Sequence, residues 1–136
     1  MHIGYVNLFV SDLERAQSFY GDLLGLRLDQ LDAEQGYASY LAGPVRLGLA
    51  VVGEDQADLV ERHTGIGFVV TDLREEYARL AEAGVIFPMP PQEQPWGGFM
   101  ALMADPDGNV LYLDEIPGEP DRPVEVQGRD PGGPVD

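Results

Sequence analysis

Cysteine is absent from the 136 residues, and so is lysine: every cationic side chain is an arginine. The first absence excludes disulfides, thiolate nucleophiles and Cys-based zinc or iron–sulfur sites. The second excludes a Schiff base or a lysine acting as general base. Positive charge is scarce altogether, with 8 Lys+Arg against 24 Asp+Glu and a formal net charge of −16. A polyanionic backbone is bound through neutralising cations, so no nucleic-acid partner is expected, and a cationic or neutral partner suits the field better. Also missing are any run of about 18 apolar residues and any basic start leading into an apolar stretch. The expectation is a cytoplasmic protein with no membrane partner. What remains, 44% hydrophobic and 9% aromatic residues, suffices for one compact domain with a core of normal size.

Large apolar residues almost vanish after Ile116, where Pro117, Pro120, Pro123, Pro131 and Pro134 alternate with Gly118, Gly128, Gly132 and Gly133. Residues 117–136 therefore read as a Pro/Gly-rich C-terminal tail, with Val124 and Val126 as a conceivable edge strand. Residues 1–116 form the body, and it carries a repeat. Tyr5-Val-Asn-Leu-Phe-Val-Ser-Asp-Leu13 realigns with Gly65-Ile-Gly-Phe-Val-Val-Thr-Asp-Leu73 at an offset of 60. In each copy strand-forming residues end at Ser/Thr-Asp-Leu and a helix pattern follows. Ser11 and Glu14 match a capping box, and Asp12 and Asp72 put negative charge at the helix starts. Gly25 and Gly84 are the expected stops. Strands are predicted at Arg27 to Gln30, Tyr37 to Ala42, Val45 to Val52, Val85 to Phe87, Phe99 to Ala104 and Val110 to Glu115. The stretch Pro88 to Pro95 is expected to be a loop and Asp105 to Gly108 a tight turn. Two β-α-β-β-β modules result, one at about 1–53 and the other at about 63–116. Their class is α+β: a curved, cup-shaped mixed sheet with helices on the outside and a central cavity.

Val6 to Leu13 followed by Phe19-Tyr-Gly-Asp-Leu-Leu-Gly25, then Asp72-Leu73, Trp96-Gly97 and Asp105-Pro-Asp-Gly-Asn109, resemble the vicinal oxygen chelate superfamily. It comprises glyoxalase I, extradiol dioxygenases, fosfomycin-resistance enzymes and bleomycin-resistance proteins. The resemblance covers residues 1–116. In metal-dependent members it places ligands at the start of each module's first strand and in the last strand, which here are Tyr5, Gly65 and Tyr112. Glycine has no donor and a neutral phenol is a weak one, so the usual metal site is not expected. A displaced set, with His63, Asn7 and Asp114 each two residues away along its strand, is the alternative.

Strand alternation points Tyr5, Asn7, Phe9 and Tyr112 into the cup and packs Val6, Leu8, Val10, Leu111 and Leu113 under the helices. Gly65 and Gly67 leave open volume where a metalloenzyme would carry its ion. Trp96, beside the Pro-rich loop, is a candidate either for stacking on a ligand or for core packing, and Phe99 shares that ambiguity. Tyr40 and Arg46 are further candidates on middle strands whose facing the sequence leaves open. The ligand-binding candidates are therefore Tyr5, Asn7, Phe9, Tyr40, Arg46, His63, Gly65, Gly67, Trp96, Phe99 and Tyr112, with no catalytic residue, no metal and no cofactor. The resemblance implies a homodimer similar to the bleomycin-resistance branch that sequesters a small aromatic or cationic natural product. Its alternative is a divalent-metal-dependent lyase, isomerase, transferase or dioxygenase.

Overall fold

The fold is that of a computed structural model, which describes residues 1–116. The expected tail, 117–136, with Val124 and Val126, lies outside the described residues. The first module runs β1 (Tyr5–Val10), α1 (Leu13–Gln17) continuing as a π-helical segment (Ser18–Leu23), β2 (Arg27–Asp32), β3 (Tyr37–Ala42) and β4 (Val45–Val51). A 3₁₀ segment, Glu54–Leu59, absent from the sequence expectation, links it to the second. That module runs β5 (His63–Val69), α2 (Leu73–Glu82), β6 (Ile86–Glu93), β7 (Phe99–Ala104) and β8 (Val110–Glu115). Each forms its own four-stranded sheet, in the orders β1-β4-β3-β2 and β5-β8-β7-β6. The first and last strands of a module pair in parallel and the rest antiparallel, so both sheets are mixed. The α+β class and the duplicated β-α-β-β-β plan are as expected. No helix among the described residues is long and apolar enough to cross a membrane.

Local chemistry explains the helix boundaries. The Asp12 side chain accepts from Arg15 N at 3.0 Å and Asp72 from Glu75 N at 3.1 Å, so the aspartates are the caps at both starts. Ser11 does not cap: its hydroxyl and backbone N–H both donate to the Asp107 carboxylate across the module boundary. Gly25 (φ 80°) and Gly84 (φ 99°) end the helices in the left-handed region that glycine adopts without strain. The Pro-rich stretch is a second correction. Residues 86 to 93 form strand β6 at the outer edge of its sheet, pairing with β7 through Ile86, Met89, Gln92 and Glu93. Pro88, Pro90 and Pro91 fall between those paired positions, where a missing N–H breaks no ladder bond.

One core unites the modules. Leu8, Val10, Leu47 and Leu49 from the first sheet join Ala101, Met103, Leu111 and Leu113 from the second, with Phe19, Tyr20, Leu73 and Leu80 from the helical segments. Beside it lies a buried polar cluster. Asp105 is 5% exposed and Asn109 1%. The Tyr20 hydroxyl donates to Asp105 Oδ2 at 2.7 Å, and Asp107 N and Asn109 N each donate to Oδ1 at 2.9 Å. Asn109 Nδ2 donates both to Asp105 Oδ2 at 3.0 Å and to the Phe9 carbonyl at 2.9 Å, while its Oδ1 accepts from Arg62 N at 3.2 Å. Burial, reinforced by the neighbouring Asp105 charge, pushes the Tyr20 phenol far above its ordinary range, so it remains a donor.

Leaving buried donors unpaired costs about 1–3 kcal/mol apiece. Asp105→Ala is therefore expected to lose about 3–5 kcal/mol of stability in urea unfolding, and Tyr20→Phe about 1.5–3 kcal/mol. Midpoints equal to that of the unaltered protein would show the cluster to be peripheral.

Candidate functional site

A strand alternates its side chains between two faces, so burying Leu8 and Val10 of β1 turns Tyr5, Asn7 and Phe9 to the opposite, open face. Register carries that face across the sheet. Tyr5, Asn7 and Phe9 pair with Arg46, Gly48 and Ala50 of β4, and these with Leu41, Ser39 and Tyr37 of β3. The polar groups on it are mutually engaged. Arg46 Nε donates to Asp29 Oδ2 at 2.8 Å, Ser39 Oγ to the same oxygen at 3.2 Å, and the Tyr37 hydroxyl to Asn7 Oδ1 at 3.4 Å. Gly48 makes this arrangement possible, since a Cβ there would collide with Asn7 and would lie 2.5 Å from the Tyr37 hydroxyl.

The second sheet repeats the scheme with different residues. Leu111 and Leu113 face the core, so Tyr112 and Asp114 face outward, in register with Gly67 and Val69 of β5 and with Leu102 and Met100 of β7. Gly65, at φ 75°, sits in a bulge that interrupts β5 between His63 and Gly67. Thr64 repairs the ladder there, its hydroxyl donating to the Val110 carbonyl at 2.8 Å and accepting from Ile66 N at 3.1 Å. His63 meets Tyr112 edge to face, with ring centroids 5.1 Å apart. A Cβ on Gly67 would lie 3.5 Å from Tyr112 Cβ and 3.6 Å from an Asp114 carboxylate oxygen, so glycine leaves both uncovered.

The structure thus brings Tyr5, Asn7, Phe9 and Arg46 together on one open face and His63, Gly65, Gly67 and Tyr112 on the other. Two candidates lie elsewhere. Tyr40 is 2% exposed on the helix side of β3, packed against Gly21 and lining an outer groove with Gln17 and Asp22. Burial raises its phenol above the ordinary value. Phe99 packs against the core under α2, with the Arg74 guanidinium 4.5 Å from its ring centre. The sequence left both facings open because β3 and β7 are central strands with apolar residues on both faces, which hides the alternation. Trp96 occupies the β6–β7 turn and is 72% exposed, so of its two expected roles core packing is excluded. Sequence reasoning missed Asp29 on the first face, left the facing of Tyr37 open and gave Asp114 no role beyond the displaced metal set.

Of the displaced ligand set, Asn7 lies on the first sheet and His63 and Asp114 on the second. Among the described residues no three His, Cys, Asp or Glu side chains converge closely enough to hold an ion. The positions that the resemblance marks for ligands carry two tyrosines and a glycine, a donor set that does not fit a divalent metal.

Comparison with known proteins accords with this geometry. The sequence model of the Glyoxalase/Bleomycin resistance protein/Dioxygenase superfamily matches residues 2–113. A superfamily member from Sphaerobacter thermophilus DSM 20745 is similar in structure, at TM-score 0.73 and 31% identity over 85% of this chain and 98% of that one. TnmS3, an antibiotic binding protein from Streptomyces sp. CB03234, is similar at TM-score 0.69 and 30% identity over 85% and 95% of the two chains. YraH of Bacillus subtilis (strain 168) is 29% identical over 83% of this chain and 97% of its own.

Burial on the open face of β8 raises the Asp114 carboxyl above its ordinary value of 3.8, because the anion is partly stripped of water. The folded protein therefore holds that proton more tightly than the unfolded chain. The penalty is fully present above the folded pKa and disappears below the ordinary one. Asp114→Asn is expected to raise the thermal midpoint at pH 7, with the gain shrinking to nothing in acid. Calorimetry across pH checks this, and a gain that grows on acidification would contradict it.

Proposed function

The chain belongs to the glyoxalase/bleomycin resistance protein/dioxygenase superfamily, and from that membership we propose that it is a metal-independent, cytoplasmic small-molecule binding protein. Its role is to sequester an aromatic or cationic natural product, as an antibiotic-resistance or self-resistance factor does. One observation carries this reading. Where metal-dependent members place ligands, this chain puts Tyr5 and Tyr112 on open faces and leaves Gly65 bare. Phe9 and Tyr37 extend the aromatic surface, and Gly48 and Gly67 keep it free of bulk. Rings offer large contact area at little entropy cost, with stacking and cation–π contributions of about 0.5–2 kcal/mol each. A net charge of −16 biases the encounter towards cationic guests. Sequestration needs affinity and shape rather than a nucleophile or a Lewis acid. The antibiotic binding of TnmS3, a relative at 30% identity, supports the same class.

The working form in this reading is a homodimer. Tyr5 is 64% exposed and Trp96 72% exposed in the single chain, so a second copy is what would turn two open faces into walls of an enclosed site. Light scattering is expected to give twice the chain mass.

The decisive measurement is titration with a panel of aromatic natural products, following quenching of Trp96, the sole tryptophan, and recovering each compound afterwards. One-to-one binding of an unaltered compound is expected, together with less than stoichiometric divalent metal by elemental analysis. Turnover of the compound, or a stoichiometric ion whose chelation abolishes function, would establish the metal-dependent enzyme instead.

A further inference from the structure

Six carboxylates among the described residues are buried or partly buried: Asp29, Glu76, Asp105, Asp107, Asp114 and Glu115. Five have partners. Asp29 is bridged by Arg46, Glu76 by Arg79, and Asp107 by Arg15 and Ser11. Asp105 is enclosed by Tyr20 and Asn109, and Glu115 Oε1 accepts from Leu73 N at 2.8 Å. Asp114 alone has no hydrogen bond or ion pair to its carboxylate among the described residues. It stands between the apolar Val69 and Met100 in register, two residues from Tyr112 on the same face. The gap over Gly67 opens directly onto it, with the edge-to-face pair of His63 and Tyr112 alongside.

A half-buried anion without a partner costs free energy unless something supplies one. We propose that Asp114 is the charge reader of the site, accepting an ammonium or guanidinium group of the guest in the gap over Gly67 while the aromatic body lies against Tyr112. The ligand class is then an aromatic compound bearing a fixed or protonated cationic centre. This rests on the binding function proposed above. It also assigns the two sheets different tasks: Arg46 has neutralised the acid of the first face, and the second face keeps its acid for the ligand.

The test uses a matched pair of probes, (naphthalen-2-ylmethyl)trimethylammonium and its neutral carbon isostere 2-neopentylnaphthalene, titrated into the full chain by calorimetry and Trp96 fluorescence. The unaltered protein is expected to prefer the cation by about tenfold, the scale of one favourable charge contact of roughly 1.4 kcal/mol. Asp114→Asn should erase that preference while leaving affinity for the neutral probe unchanged, and Asp114→Glu should retain part of it. Glu82→Gln, on the exposed side of α2, controls for net charge and should leave the preference intact. A preference that survives in Asp114→Asn, or one lost equally in Glu82→Gln, overturns the assignment. Equal binding of both probes by the unaltered protein overturns it and leaves the binding function standing. No binding of either probe overturns both.

Discussion

The fold depends on a carboxylate that is almost entirely removed from water. Asp105 is bound by a phenol from the first module and by two backbone N–H groups and an amide from its own turn. The amide of Asn109 passes the connection on to the end of β1 through Phe9 O and to the start of β5 through Arg62 N. Both strands that begin the modules are therefore referenced to one point. A buried polar cluster with every member satisfied specifies a single arrangement, because any relative shift of the modules strands donors in an apolar setting. The apolar core supplies most of the driving force for folding, but hydrophobic contacts are non-directional and leave such shifts inexpensive. Asp105 and Asn109 supply the direction.

From that reference point strand alternation does the rest. With Leu8, Val10, Leu111 and Leu113 committed to the core, Tyr5, Asn7, Phe9, Tyr112 and Asp114 have no choice but the opposite face. The two faces are built to one plan and differ in chemistry. On the first, charge and hydroxyl groups are bound to one another. On the second a carboxylate sits beside aromatic and apolar neighbours, and glycine holds the space above it open.

Much of this was legible in the residues. Val6 to Val10 alternates cleanly because its strand is an edge with one dry face, and the 60-residue offset repeated the signal. The turns of β3, β7 and β8 carry Gly or Pro, so those strands appear at the expected residues. Legibility failed where tertiary context overrides local pattern. Tyr40 and Tyr37 are three residues apart on a central strand, and only the position of the helix over β3 decides which one is covered. Phe99 reads equally as a stacking or a core residue until its register with Glu115 places it under α2. Ser11 satisfies the capping-box spacing, yet Asp107, far away in sequence, competes for its hydroxyl and leaves Asp12 to cap. That Asp29 is paired and Asp114 is not is equally invisible in the sequence, since pairing across a sheet depends on registers that no local motif encodes.

Strand β6 has a consequence for solubility. An outermost strand ordinarily displays a row of free N–H and C=O groups onto which a stray chain can dock, and repeated docking leads to fibrils. Here three of its eight residues are prolines, which have no N–H to offer and hold the backbone off a regular pleat. That rim is chemically capped against templated growth.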